Sequence, residues 1–169
     1  EKMSHEVHLF DSAEMLALLP DNDCIRKYSG SSPTETHDIS VLYGRVDAIL
    51  VYSVIQYVFV EGNIFSFLDE CLNLLAPGGQ LLIGDIPNES MRKRFLESEA
   101  GIKFHQKFTE DKSKPSITYN IIEHDKIDDS VVFAVIHRAR QQGFHAYVLP
   151  QGEALPLQNR REDILIVKP

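Results

Sequence analysis

Two carboxylates stand where an extended apolar run gives way to polar chain. Asp11 follows Val7-His8-Leu9-Phe10, and Asp85 follows Gln80-Leu81-Leu82-Ile83-Gly84. A third apolar run, Val46 to Tyr52, hands over to Ser53, with Gln56 and Tyr57 just beyond. In open α/β sheets, ligands bind beyond the carboxyl ends of the strands, so acids, hydroxyls and amides at such places are candidate ligand contacts. Ser12 and Met15 lie within one helical turn of Asp11, and Ser31 and Ser32 fall in the loop after the next extended run. Other chemistries lack their residues. The histidines at 5, 8, 37, 105, 124, 137 and 145 offer no pair at metal spacing with a third ligand. There is no nucleophile elbow, phosphate-binding loop or metalloprotease helix. His105 and His124 sit in a polar stretch and could serve an acceptor as general base, although most such histidines are surface residues.

The elements that must position these side chains follow from periodicity. Val7 to Phe10 is a short strand, and Ser12 caps a helix carrying Met15, Leu16 and Leu19 on one face before Pro20 stops it. Ile25 to Tyr28 is a weaker strand, followed by Ser29-Gly30-Ser31-Ser32-Pro33, which is turn chemistry throughout. Val46 to Tyr52 is apolar on both alternating faces after Asp47, the pattern of a buried parallel strand. A helix over residues 63–75 follows, with Pro77-Gly78-Gly79 closing it, and residues 80–85 form a second buried strand. Asn88 caps a helix running to about Glu97. Residues 99–125 are polar and show no regular pattern, so they are expected to be an insertion or a lid over a site. Asp128-Asp129 opens a helix that Gly143 ends. The strands at 144–149 and 163–167 have no helix between them and should pair antiparallel. Strands alternating with helices give an α/β class: a doubly wound, mostly parallel Rossmann-like sheet with an antiparallel C-terminal hairpin.

The 169 residues are enough for one domain with a real core. The net charge of -8 repels phosphate backbones, so nonspecific nucleic-acid binding is not expected, and Arg92-Lys93-Arg94 reads as a solvated helix face. No apolar run approaches the roughly 20 residues a membrane helix requires. The opening Glu1-Lys2-Met3-Ser4-His5 has no signal-peptide pattern. Cys24 and Cys71 have no partner motif and read as reduced thiols in apolar surroundings, so a cytoplasmic location is expected.

Three segments resemble class I S-adenosylmethionine-dependent methyltransferases. Val46 to Tyr57 resembles the fourth strand and following loop of that family, and Leu74 to Ile83, with its Pro-Gly-Gly, resembles the next helix end and the fifth strand. Leu9 to Leu16 resembles the second strand and its acidic residue, and the closing hairpin matches the sixth and seventh strands. The resemblance implies S-adenosylmethionine as cofactor and methyl transfer to a small-molecule acceptor of unassigned identity. It puts Asp11 on the ribose hydroxyls, Ser12 and Met15 beside the adenosine, and Ser31 and Ser32 at the adenine edge. Tyr52, Ser53 and Gln56 would face the methionine portion, with Tyr57 and Asp85 on the acceptor side. Simpler roles stand beside these: Asp11 as a helix-start carboxylate, Met15 as core, the tyrosines as strand-end aromatics, Asp85 as a turn residue.

One departure from the family is large. No Gly-x-Gly-x-Gly motif occurs, and Glu1 to Ser4 reads like the tail of the helix after it. The first strand, which lies mid-sheet in that fold, is therefore expected to be missing, making residues 1–169 a single methyltransferase-like domain that is incomplete at its N-terminus. The alternatives are an NAD-dependent dehydrogenase, which shares the strand-end acid, and a non-catalytic methyltransferase-like subunit that binds a protein partner. Oligomeric state is left open.

Overall fold

The structure is a computed structural model that describes residues 6–30 and 39–169. Ser31 and Ser32 lie outside the described residues. Strand β1 (Val7–Asp11) is followed by helix α1 (Ala13–Ala17) and strand β2 (Ile25–Ser29). A 3-10 turn (Ile39–Leu42) leads into β3 (Val46–Tyr52), α2 (Ile55–Glu61), α3 (Ile64–Leu74) and β4 (Leu75–Pro87). Then come α4 (Glu89–Glu97), α5 (Glu99–Thr109), α6 (Asp129–Gln141), β5 (His145–Pro150) and β6 (Arg161–Val167).

Side-chain caps set where most of these helices begin. Ser12, Asn63, Asn88, Ser98 and Asp128 each accept a hydrogen bond from a backbone N–H in the first turn that follows. Each cap satisfies a donor that the helix itself leaves open. Two helices were not foreseen. The loop expected after Tyr52 is α2, and the stretch expected to lack order contains α5, started by Ser98. The Pro-Gly-Gly segment also has a different role from a helix cap. Helix α3 stops at Leu74, Leu75 is already extended and paired with Val46, and Gly78 takes φ +79°. The β3–β4 register breaks between Val46 and Ala48 at this point. Gly79 has no room for a side chain there, because a Cβ would lie 2.8 Å from the carbonyl oxygens of both Ala76 and Val46.

Strands β1 and β2 form a parallel pair. The other four order as β3-β4-β6-β5, with β3–β4 parallel and the two pairings of β6 antiparallel, which gives the expected C-terminal hairpin. Period-two alternation assigns one face to the core. Ile49 and Val51 stand opposite Leu81 and Ile83, which stand opposite Ile166 and Ile164. Helices α3 and α6 cover that face with Phe67, Leu68, Cys71, Leu72, Val132, Val135 and Ala139. The other face of β3 is not buried as its composition suggested, since Leu50 is 68% exposed. Among the described residues β3 pairs on one edge only, with β4, so its full apolar pattern is not used. Helix α1 likewise buries Leu16 while leaving Met15 exposed, and Leu19, expected on the same face, lies beyond the end of the helix and is exposed too. Cys71 is buried, and burial pushes its thiol up to about 12, but Cys24 is exposed rather than in apolar surroundings.

Candidate functional site

The parallel strands β3 and β4 end side by side, and both ends leave the ordinary β conformation. Ser53, just past β3, takes φ +57°, and Asp85, near the end of β4, takes φ +60°. Left-handed backbone is unfavourable for residues with a Cβ, although Asp tolerates it better than most. A hydrogen-bond network over-determines both. The backbone N–H of Ser53 donates to the carbonyl of Gly84 (3.1 Å). The Ser53 hydroxyl donates to Asp85 Oδ2, which also forms an ion pair with Arg161 Nη1. The backbone N–H of Asp85 donates to Asp163 Oδ1 (2.9 Å). Gln151, only 6% exposed, donates through Nε2 to Asp163 Oδ1 (3.1 Å) and Asp85 Oδ1 (3.4 Å). Gln56, in the first turn of α2, donates through Nε2 to the carbonyl of Ser53 (2.8 Å).

Two acceptors are left over. The side-chain oxygens Oε1 of Gln56 and Gln151 are buried and have no protein donor. A buried unsatisfied acceptor costs on the order of 1–3 kcal/mol, so two beside one network mark a place suited to a ligand that brings N–H or O–H donors. Tyr52 closes one side: its ring lies so near Gly84 that a Cβ there would sit 2.5 Å from Cδ2.

The structure therefore brings Ser53, Gln56 and Asp85 into one cluster with Tyr52 beside it. Tyr57, on α2, is exposed and makes no side-chain hydrogen bond to the network. Asp11, Ser12 and Met15 form a second group at the end of β1. Asp11 Oδ1 accepts the N–H of Ser12 (2.7 Å), and the Ser12 hydroxyl accepts the N–H of Met15 (3.3 Å). The carboxylate is exposed, and Met15 is 51% exposed rather than core. Of the two histidines in the polar stretch, His105 is on α5 and His124 is exposed in the loop after it. Among the described residues no group of three or more His, Cys, Asp or Glu could hold a metal ion, and no helix is long and apolar enough to cross a membrane.

Sequence reasoning missed Arg161, Gln151 and Asp163. Their signal lies in the hairpin register, which sets Arg161 opposite Pro87 and Glu162 opposite Ile86 and so carries the start of β6 to the ligand end of β4. The closing strand begins at Arg161, two residues earlier than its apolar pattern suggests. Asp85 is also more constrained than an acceptor contact would be, because both of its oxygens are engaged by protein.

No protein-family model matches the chain. Over 109 residues, 64% of the chain, it is 27% identical to chondramide synthase cmdD of Chondromyces crocatus, and the match spans 3% of that protein. Among solved structures, a Nostoc punctiforme protein assigned as an O-methyltransferase aligns with a TM-score of 0.55 and 17% identity, over 96% of this chain and 45% of its own. The CurJ carbon methyltransferase aligns with a TM-score of 0.50 and 13% identity, over 99% of this chain and 50% of its own. The chain thus spans about half the length of these structures. Likeness at such identities is a likeness of fold: the chain has the mixed α/β, Rossmann-like fold of class I methyltransferases.

Proposed function

We propose that this chain belongs to a methyltransferase that uses S-adenosylmethionine and a small-molecule acceptor. The observation that carries the reading is the cluster at the ends of β3 and β4, where Gln56 and Gln151 hold two unsatisfied buried acceptors beside Ser53 and Asp85. The fold likeness supports it, since two neighbours bear methyltransferase names. When bound, S-adenosylmethionine supplies a methyl group activated on a sulfonium.

The residues present fit that cofactor. The exposed Asp11 carboxylate has one oxygen taken by Ser12 and one free to accept ribose hydroxyls. Met15 offers an exposed, adaptable apolar surface for the adenine. The Gln56 and Gln151 oxygens suit the ammonium of the methionine portion, with Tyr52 and Ser53 at its side. In this reading Tyr57 and Asp85 serve the acceptor side, and residues 99–125 serve as its lid. Asp85 acts there as a positioning residue, holding Ser53 and Arg161. In-line displacement rests mainly on proximity and alignment, so a rigid strand-end network is what this chain contributes to rate.

Calorimetry with S-adenosylhomocysteine and with NAD tests this reading. S-adenosylhomocysteine is expected to bind and NAD not to. Asp11→Ala is expected to weaken S-adenosylhomocysteine about tenfold to a hundredfold, the worth of a hydrogen bond to a charged group. Unchanged affinity would remove Asp11 from the site, and binding of NAD alone would overturn the function.

A further inference from the structure

Beside the Asp85 network stands a cation that the network does not use. Arg160 immediately precedes β6, and its backbone is pinned at both ends. Its N–H donates to the carbonyl of Leu157 (3.0 Å), and its carbonyl accepts the N–H of Asn88 (3.2 Å) at the end of β4. The guanidinium lies over two rings, 4.7 Å from the centroid of Phe104 and 5.6 Å from that of Phe95. Those rings belong to α5 and α4 and meet edge to face at 5.8 Å, and Phe108 stacks on Phe104. Among the described residues the side chain makes one hydrogen bond, from Nε to Asn159 Oδ1 (3.1 Å).

Its neighbours have carboxylate partners. Arg92 pairs with Glu89 and Arg161 with Asp85. Among the described residues no carboxylate lies within ion-pair distance of Arg160, and neither of its Nη groups has a protein acceptor. The chain holds 25 acids against 17 bases, so a half-buried arginine left without one is not explained by a shortage of partners. Stacking on rings satisfies the face of a guanidinium and leaves its in-plane donors open. Burial, and then repulsion from Arg92 and Arg161, lower the pKa of Arg160, which still keeps its charge across the working range.

We propose that Arg160 is the docking point for an oxyanion, a carboxylate or a phosphate, carried by the methyl acceptor. The proposal rests on the methyl-transfer reading of the strand-end cluster. A planar fork held flat by two rings is pre-organised for bidentate capture, so little side-chain entropy is lost when an anion arrives. The N–H of Asn88 ties the backbone of Arg160 to the end of β4, and its guanidinium feels the charge of Arg161 in the Asp85 network, so an acceptor anchored here lies at the ligand end of the sheet. Neutral molecules of similar shape leave the Nη donors unpaired and are selected against.

Phenylglyoxal modification of the full-length protein, read residue by residue with peptide mass spectrometry, tests the site. Arg26, which is exposed and paired with Glu6, serves as the control. Saturating inorganic phosphate or acetate is expected to slow modification of Arg160 about tenfold relative to Arg26, because a bidentate anion occupies the reacting edge. Protection by phosphate alone assigns a phosphorylated acceptor, and protection by acetate alone a carboxylated one. Equal slowing at Arg160 and Arg26, or no modification of Arg160 under any condition, overturns the oxyanion site. Binding of S-adenosylhomocysteine, measured on the same protein, separates the two readings. Protection without cofactor binding overturns the link to a methyl acceptor, whereas cofactor binding without protection overturns the Arg160 site alone.

Discussion

Asp85 does two things that an ordinary strand residue does not: it takes a left-handed backbone and it shares one carboxylate oxygen between Ser53 and Arg161. Both members of the ion pair are mostly shielded, with side chains 17% and 23% exposed. Removing one member of such a pair strands the other, which outweighs the small net worth of the pair itself. Asp85→Asn keeps the shape and the tolerance of positive φ, and so isolates the charge. It is expected to lower stability by about 1–3 kcal/mol, and Asp85→Ala by more, because alanine adds left-handed strain. A double-mutant cycle of Asp85→Asn with Arg161→Gln, followed by urea denaturation, is expected to give a coupling of roughly 1–3 kcal/mol. Additive effects would mean that the pair does not hold the strand end.

At the scale of elements, Gly101 decides how α4 meets α5. It is the third residue of α5, and an added Cβ would fall 1.9 Å from the carbonyl oxygen of Phe95 and 2.7 Å from Cα of Leu96. Alanine is a better helix former than glycine by about 1 kcal/mol. Here the contact is with backbone of the preceding helix, which cannot rotate away. The clash therefore wins, and Gly101→Ala is expected to destabilise by about 1–3 kcal/mol, as overpacking does. It should also disturb the contact of Phe95 with Phe104, and near-ultraviolet circular dichroism with thermal melting reads both effects. An unchanged melting temperature would mean that the corner gives without cost. The same corner shows where the sequence was legible. Helix α6 announced itself through Asp128 and its apolar stripe, and the hairpin through two apolar runs without a helix between them. Helix α5 did not, although Ser98 caps its start, because Lys103, His105, Gln106 and Lys107 interrupt the few apolar residues Ile102, Phe104 and Phe108. Asp85 and Ser53 could be picked out because strand ends can be read along the chain. Arg161 and Gln151 reach them only through the register of an antiparallel pairing, which pattern does not specify.

Across the whole molecule, two carboxylates bind distant elements into one unit, and a third caps α6. Asp129 of α6 is held by Arg94 and Asn88 of the α4 region, and those contacts lower its pKa, that of Arg94 most. Asp69 of α3 is lowered chiefly by the Arg138 guanidinium of α6, with Gln142 adding to it. Asp128 is lowered first by the Ser130 hydroxyl and then by the first backbone N–H groups of α6. Each folded pKa lies below the ordinary value of 3.8. The unfolded chain therefore takes up protons first as pH falls. The stabilisation is complete above the unfolded value and disappears as pH drops through the lower folded ones. Repulsion within a chain of net charge -8 works the other way, easing as acids elsewhere are neutralised. That relief is spread over the surface and screened by salt, whereas Asp69 and Asp129 join α3 and α4 to α6 directly and Asp128 fixes the start of α6. The local contacts are thus expected to dominate below the carboxylate range. Urea midpoints in moderate salt should stay level from neutral pH down to about pH 5 and then fall steeply below pH 4. Asp129→Asn should start from a lower midpoint at neutral pH and lose less on acidification, so that the two curves converge. Parallel curves would show that Asp129 titrates alike in the folded and unfolded chain, and that its contacts with Arg94 and Asn88 do not couple α4 to α6.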